Sequence, residues 1–147
     1  MTQTKGELVM NISKIKYFKE KVMIDYENNG DEFSLISKQT PLKSLSSALS
    51  AFQKYTADLL NVKAGFTIKG IHFKEGNEDV EHRIRVVGSY PVKDGKVFNF
   101  VTPLDESYDN ETAKNIELLI EETKRFVNGE RLQTNMNFKK NPKKSKK

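Results

Sequence analysis

Apolar and polar residues alternate along the first quarter of the chain. Ile15 and Tyr17 point one way while Lys14, Lys16 and Phe18 point the other, and the same period of two continues through residues 22–27 and 33–36. Such alternation is typical of a β-strand with one buried face. Asn29-Gly30, a strong hairpin-turn pair, separates the last two stretches. We therefore predict three strands joined by tight turns in an antiparallel meander.

The period then changes and afterwards repeats. Apolar residues at three-, four- and seven-residue spacings after Pro41 predict a helix of about 18 residues, with Thr40 as its cap. Alternation returns over 66–74, 81–90 and 97–102, and a second amphipathic helix follows over about 111–127. We expect Asn110 to cap that helix and Gly129 to end it.

The order βββα-βββα predicts an α+β fold. We expect a two-layer sandwich with an antiparallel sheet of about six strands and two helices on one face. The predicted organisation is an N-terminal arm (1–11), a single α+β domain (12–129) and a flexible basic tail (130–147).

The net charge of +5 is located in that tail, because residues 1–129 hold 18 basic and 19 acidic side chains. The tail lysines are Lys139, Lys140, Lys143, Lys144, Lys146 and Lys147. A lysine block of this kind attracts polyanions, although it also occurs as a solubilising tail without a dedicated partner.

Composition and missing motifs exclude several classes of protein. Zero cysteines exclude disulfides, thiol catalysis and Cys-ligated metal centres. No apolar run approaches the roughly 20 residues of a membrane helix, and we find no signal peptide, so we expect a cytoplasmic protein without a membrane partner. The absence of hydrolase, phosphate-loop and dinucleotide motifs predicts a non-enzymatic protein with no cofactor.

Two side-chain pairs remain as candidate chemistry. His72 and His82 would face each other if the second hairpin turned at 76–78, which suggests a metal site or a plain cross-strand pair; we expect no metal. Asp25 and Glu27 share one strand face, and we favour surface salt bridges with neighbouring lysines over acid–base chemistry.

The second set of strands offers a binding surface. If Asp94-Gly95 is a two-residue loop, one sheet face combines cations with aromatic rings, namely Lys69, Phe73, Arg83, Arg85, Phe98 and Phe100. The opposite face would then be core, with Phe66, Ile68, Ile84, Val86, Val97 and Val101. Such a sheet surface binds single-stranded nucleic acid, because the cations contact phosphates and the aromatic rings stack with unpaired bases. A self-association surface or a second minor core is the alternative.

Four segments have the strand and turn pattern of a known protein family. They are VMIDYE (22–27), FSLISKQTPLKSLSSAL (33–49), GIHF (70–73) and RVVGSYPVKDGKVFNFVTPLD (85–105), followed by a closing helix and Gly-Glu-Arg at 129–131. The chain resembles, over about residues 12–131, a family of small uncharacterised proteins of tailed bacteriophages and prophages. The resemblance implies a phage origin and a link to phage DNA metabolism, and it carries over no functional residue.

These observations predict a phage-type accessory protein that binds single-stranded DNA, through the sheet face and the tail lysines, in replication or recombination. The alternative is an anti-defence interaction protein that blocks a host factor or sequesters a small ligand. Expected partners are single-stranded nucleic acid, a second copy of the chain, or a host or phage protein.

Overall fold

The computed structural model describes residues 10–63 and 65–131. The strands are β1 (Met10–Phe18), β2 (Lys21–Asn28), β3 (Asp31–Ser37), β4 (Thr67–Glu75), β5 (His82–Pro91) and β6 (Val97–Val101). The helices are α1 (Lys43–Ser50), α2 (Gln53–Leu60) and α3 (Asn110–Val127). All six strands form one antiparallel sheet in the order β3-β2-β1-β4-β5-β6. The predicted α+β fold is confirmed.

Two three-stranded meanders meet at the middle of this sheet, where β1 pairs with β4 and Ile15 lies opposite Ile71. In the first meander the turns are Lys19–Glu20 and Asn29–Gly30, and all four residues have positive φ. The Asn29-Gly30 turn is the predicted one. The meander arrangement leaves β3 and β6 as the two edge strands.

The core lies on the sheet face that the helices cover. Ile15, Ile24 and Ile71 are fully buried there, together with Leu119 of α3. The helices α1 and α3 pack on each other, α3 also contacts β1, and α1 contacts β4, so they share one side of the sheet. The other side, which we call the open face, carries no helix among the described residues.

The predicted first helix is interrupted. It consists of α1 and α2, which meet at Phe52, a fully buried residue whose N–H donates to the Leu49 carbonyl three residues back. Leu42, not Thr40, occupies the N-cap position and makes no side-chain cap hydrogen bond. The three-residue hydrogen bond tightens the chain into a 3-10 turn at the point where the Phe52 ring is buried. The periodicity of the sequence does not reveal this turn.

The ends of the domain differ slightly from the predicted boundaries. β1 begins at Met10, and Arg131 forms a bridge with Pro41 while its guanidinium lies 4.2 Å from the centre of the Phe126 ring. The N-cap of α3 is Asp109 rather than Asn110, since its carboxylate accepts a 2.8 Å hydrogen bond from the Thr112 N–H. The tail lysines lie outside the described residues.

Within 10–63 and 65–131, none of the helices has the length and apolar character needed to span a membrane.

Candidate nucleic-acid interface

The open face of β1, β4 and β5 carries a concentration of basic side chains, which we call the basic face. Its six cations are Lys14, Lys16, Lys69, Lys74, Arg83 and Arg85, and His72 lies among them. Strand pairing sets Lys14 opposite His72 and His72 opposite Arg85, so these three form one row across the sheet. At the usual strand separation of about 4.8 Å, the row spans roughly 10 Å.

Almost no negative charge opposes these cations. β1 and β5 contain no acidic residue, and Glu75 of β4 falls on the helix-covered face because it pairs with His82. Among the described residues, Lys14 is the one cation of the basic face in an ion pair, with its Nζ 3.3 Å from Asp25 on β2. Five cations are therefore available to an external anion.

Two features distinguish the centre of the basic face. The Nε of Arg85 is buried and has no hydrogen-bond partner among the described residues. Partial burial lowers the pKa of His72, and repulsion from Lys14, Arg85, Lys16 and Lys74 lowers it further. The centre of the basic face is thus a region of unbalanced positive potential with an unsatisfied guanidinium donor.

An aromatic ring borders this region. Phe18, at the end of β1, is 38% exposed, and the Lys69 ammonium lies 4.1 Å from its ring centroid. Lys69 Nζ also donates a 3.1 Å hydrogen bond to Asn99 Oδ1 on β6. A cation is therefore held over one face of the ring, which puts a phosphate-neutralising group next to a ring that can stack with a base.

The structure confirms the predicted face for Lys69, Arg83 and Arg85 but corrects it for Phe73, which is 3% exposed and belongs to the core. A β-bulge between Ile68 and Gly70 interrupts the pairing with β5, so Ile68, Ile71 and Phe73 all point toward the helices. The extra residue of the bulge is Lys69, and an unbroken alternation cannot anticipate it.

The predicted face of Phe100 is also wrong. Val92 and Lys96 close a three-residue loop in which Asp94 and Gly95 have positive φ, so Pro91 pairs with Val97. A two-residue loop would have shifted the register by one residue and reversed both faces of β6.

This register changes the environment of every residue of β6. Phe100 is buried at 8% exposure, and Phe98 lies on the same helix-side face but beyond the helices, where it is 62% exposed. Val97 and Val101, predicted as core, are exposed on the open face. Neither predicted phenylalanine of β6 therefore belongs to the basic face.

The two histidines do not face each other. His72 pairs with Arg85 and His82 with Glu75, which puts the rings on opposite faces of the sheet. In the part of the chain that the structure describes, no three His, Cys, Asp or Glu side chains cluster as metal ligands. Asp25 forms the predicted salt bridge with Lys14 and also accepts a 2.8 Å hydrogen bond from Ser34.

The described residues also line two clefts, and the larger one includes Lys74 of the basic face. The larger, about 810 Å³, is at one end of the sheet beside the stacked rings of Tyr26 and Phe33, and its acidic lining, with Glu27, Glu32 and Glu81 among its members, disfavours phosphate.

The smaller cleft, about 410 Å³, contains Tyr55, whose hydroxyl donates a 2.7 Å hydrogen bond to Asp105. Burial and that bond raise the pKa of Tyr55 above its ordinary value, so the hydroxyl stays a neutral donor. Neither cleft suits a polyanion.

Sequence reasoning missed three of the six cations of the basic face, namely Lys14, Lys16 and Lys74, and also the bordering ring of Phe18. The alternation of β1 correctly put Lys14, Lys16 and Phe18 on one side of their strand. The alternation could not identify β4 as the neighbouring strand of β1, because this pairing joins residues more than 50 positions apart. The exposed, strongly basic alternation of β1 was the available signal.

Comparison with known proteins gives no family assignment. The chain matches no protein-family model, and comparison with curated proteins and with solved structures finds no match.

Proposed function

We propose that the protein binds single-stranded nucleic acid, with single-stranded DNA as the first candidate, along the basic face of its sheet. One observation carries the proposal: six cations and one histidine share the open face of three adjacent strands, and those strands carry no carboxylate on that face. Asp25 of the neighbouring β2 pairs with Lys14 alone among the six. A surface with one sign of charge needs a counter-charge, and a phosphodiester chain supplies it repeatedly at short intervals.

The geometry favours a single strand over a duplex. The bases of a duplex are stacked and paired, so they are unavailable to the ring of Phe18. A single strand can splay a base onto Phe18 while neighbouring phosphates meet Lys69 and the cations of β4 and β5. Arg85 adds a guanidinium whose planar donors match two phosphate oxygens.

The proposal is tested by titrating the full chain with single- and double-stranded oligonucleotides at several salt concentrations. If the five cations without an ion pair all meet phosphates, they contribute a slope of about −3.5 in log K against log salt for a single strand. The tail lysines add affinity for both substrates, and the preference for a single strand comes from the sheet. Salt-insensitive binding, or no binding at low salt, would contradict the proposal.

The stacking role of Phe18 gives a separate prediction. Replacing Phe18 by Leu keeps an apolar side chain on β1 but removes the aromatic plane, so we expect about a fivefold loss of single-strand affinity. Duplex affinity and the salt slope should stay as they are, because no phosphate contact is removed. Fluorescence anisotropy with both substrates measures this, and equal weakening of both would exclude stacking on Phe18.

A second prediction concerns His72, whose pKa is lowered by burial and by the cations around it. Phosphates bound beside His72 offset that repulsion and raise its pKa, so the complex takes up a proton. Affinity should therefore increase as the pH falls through the window between the lower pKa of the free protein and the higher pKa of the complex.

NMR titration of the imidazole resonances, with and without oligothymidylate, measures the shift directly. The resonances of His82, on the other sheet face, should not move when the oligonucleotide is added at constant pH. Replacing His72 by Gln should remove the pH dependence of affinity over that window. An unchanged His72 titration in the complex would show that phosphate does not bind there.

The resemblance to small phage proteins supports an accessory role in phage DNA replication or recombination as the setting of this activity. The other candidate, an interaction protein that blocks a host factor or sequesters a small ligand, takes its place if the salt titration fails. Both candidates are non-enzymatic.

A further inference from the structure

The edge strand β6 is unusual for an exposed edge. Its sequence, Val-Phe-Asn-Phe-Val, contains no charged residue, and Val97, Phe98 and Val101 are 54%, 62% and 60% exposed. Monomeric proteins commonly protect sheet edges with lysine, proline or other charge to prevent pairing with further strands. The opposite edge, β3, begins with Asp31 and Glu32 and follows that rule.

Hydrogen bonds at the two ends of β6 show which backbone groups are free. The Val92 N–H donates to the Lys96 carbonyl, and the Thr102 N–H donates to the Val86 carbonyl. Because bonded residues alternate along an antiparallel pair, the even-numbered residues of β6 bond to β5. The N–H and C=O groups of Val97, Asn99 and Val101 therefore point away from the sheet, and no described strand pairs with them.

The sequence of β6 is a palindrome centred on Asn99, which is one of these outward residues. In an antiparallel pairing of two copies about a twofold axis at Asn99, Asn99 meets Asn99 and Val97 meets Val101. All outward residues then meet outward residues, so every free N–H and C=O of the strand is bonded. The valines pair on the open face and Phe98 meets Phe100 on the other, which covers the exposed apolar surface.

We propose that a second copy of this chain pairs with β6, strand to strand and antiparallel, about a twofold axis through Asn99. A self-complementary interface requires that the same groups of two copies meet. The strand β6 meets this requirement in its backbone register, in its palindromic side chains and in its lack of charge. The resulting dimer has one continuous sheet, six strands from each copy, with both basic faces on the same side. This inference does not depend on nucleic-acid binding.

The backbone part is tested with two substitutions at one position. Asn99→Pro removes the outward N–H at the axis without affecting the bonds to β5, as edge strands tolerate proline there. Asn99→Ala keeps that N–H and is the matched control. By analytical ultracentrifugation we expect the full chain and Asn99→Ala to approach twice the monomer mass as concentration rises. We expect Asn99→Pro to dissociate at least about tenfold more readily.

The position of the axis is tested by cross-linking, for which the absence of native cysteine is convenient. Asn99→Cys should be joined rapidly into dimers by a short bismaleimide, because residues at the axis of a bonded pair lie about 5.5 Å apart. Ile36→Cys, 61% exposed on the opposite edge, is the control and should show collisional linkage alone.

Three results would overturn the proposal. They are a monomer at every concentration, a dimer that Asn99→Pro leaves intact, and equal cross-linking at positions 99 and 36. The last two would assign the association to another surface. Each variant's thermal unfolding, measured in dilute solution, confirms that the monomer remains folded.

Discussion

Replacing Lys16, Lys74 and Arg83 together by Gln is expected to weaken single-strand binding about 100-fold at roughly 0.1 M salt. The three side chains lie on the open face of β1, β4 and β5, and in the described part of the chain none of them makes a salt bridge. Each lost phosphate contact lowers the salt slope by about 0.7, so the slope should flatten by about 2. The fold should survive, since Lys16 and Arg83 are only partly buried and Lys74 is exposed.

A matched control separates the basic face from net charge. Lys54 on α2 and Lys114 and Lys124 on α3 are also lysines, and replacing them by Gln removes the same three charges from the helix side. The control should lose much less affinity than the face variant and keep most of the slope. If both triple variants weaken binding equally, the interaction follows the overall charge and the basic face has no special role.

The second large effect is on stability, and it concerns Phe100. This side chain is 8% exposed and packs edge-on against Phe66, with ring centroids 6.0 Å apart and an interplanar angle of 86°. Its ring also fills the space above Gly88, where an added Cβ would lie 2.5 Å from the Phe100 ring. Phe100→Ala leaves a cavity in the core and should lower the free energy of unfolding by about 3–5 kcal/mol.

Phe98→Ala, two residues away on the same strand, is the comparison. Phe98 is 62% exposed, so its loss should change the free energy of unfolding by no more than about 0.5 kcal/mol in dilute solution. Urea denaturation at low protein concentration measures both variants. Similar values for the two would mean that the register of β6 is not the one described, with Phe100 no more buried than Phe98.

Much of the fold follows from local pattern. Alternation identifies the strands, and the Asn29-Gly30 turn has a chemistry that leaves little choice of register. The break at Phe52 does not show in the sequence, because the stripe of apolar residues continues across it. Tertiary burial of one ring decides that break, and spacing alone carries no information about it.

The candidate site was harder to predict for two specific reasons. One inserted residue, Lys69, and one extra loop residue before β6 each reverse the side-chain direction of a strand, which moved Phe73 and Phe100 into the core. The third strand of the basic face comes from a pairing between distant segments, where Lys14 meets His72. Periodicity describes single strands, whereas this site depends on which strands are neighbours.

The central claim, that the open face of β1, β4 and β5 binds single-stranded nucleic acid, is tested most directly by NMR. Backbone amide shifts of the ¹⁵N-labelled full chain would be followed while oligothymidylate is added. The largest changes should fall on the three strands, around His72 and Arg85, and the amides of α3 should stay in place. Changes confined to α3, to the smaller cleft or to residues 132–147, with β1, β4 and β5 unaffected, would contradict the claim.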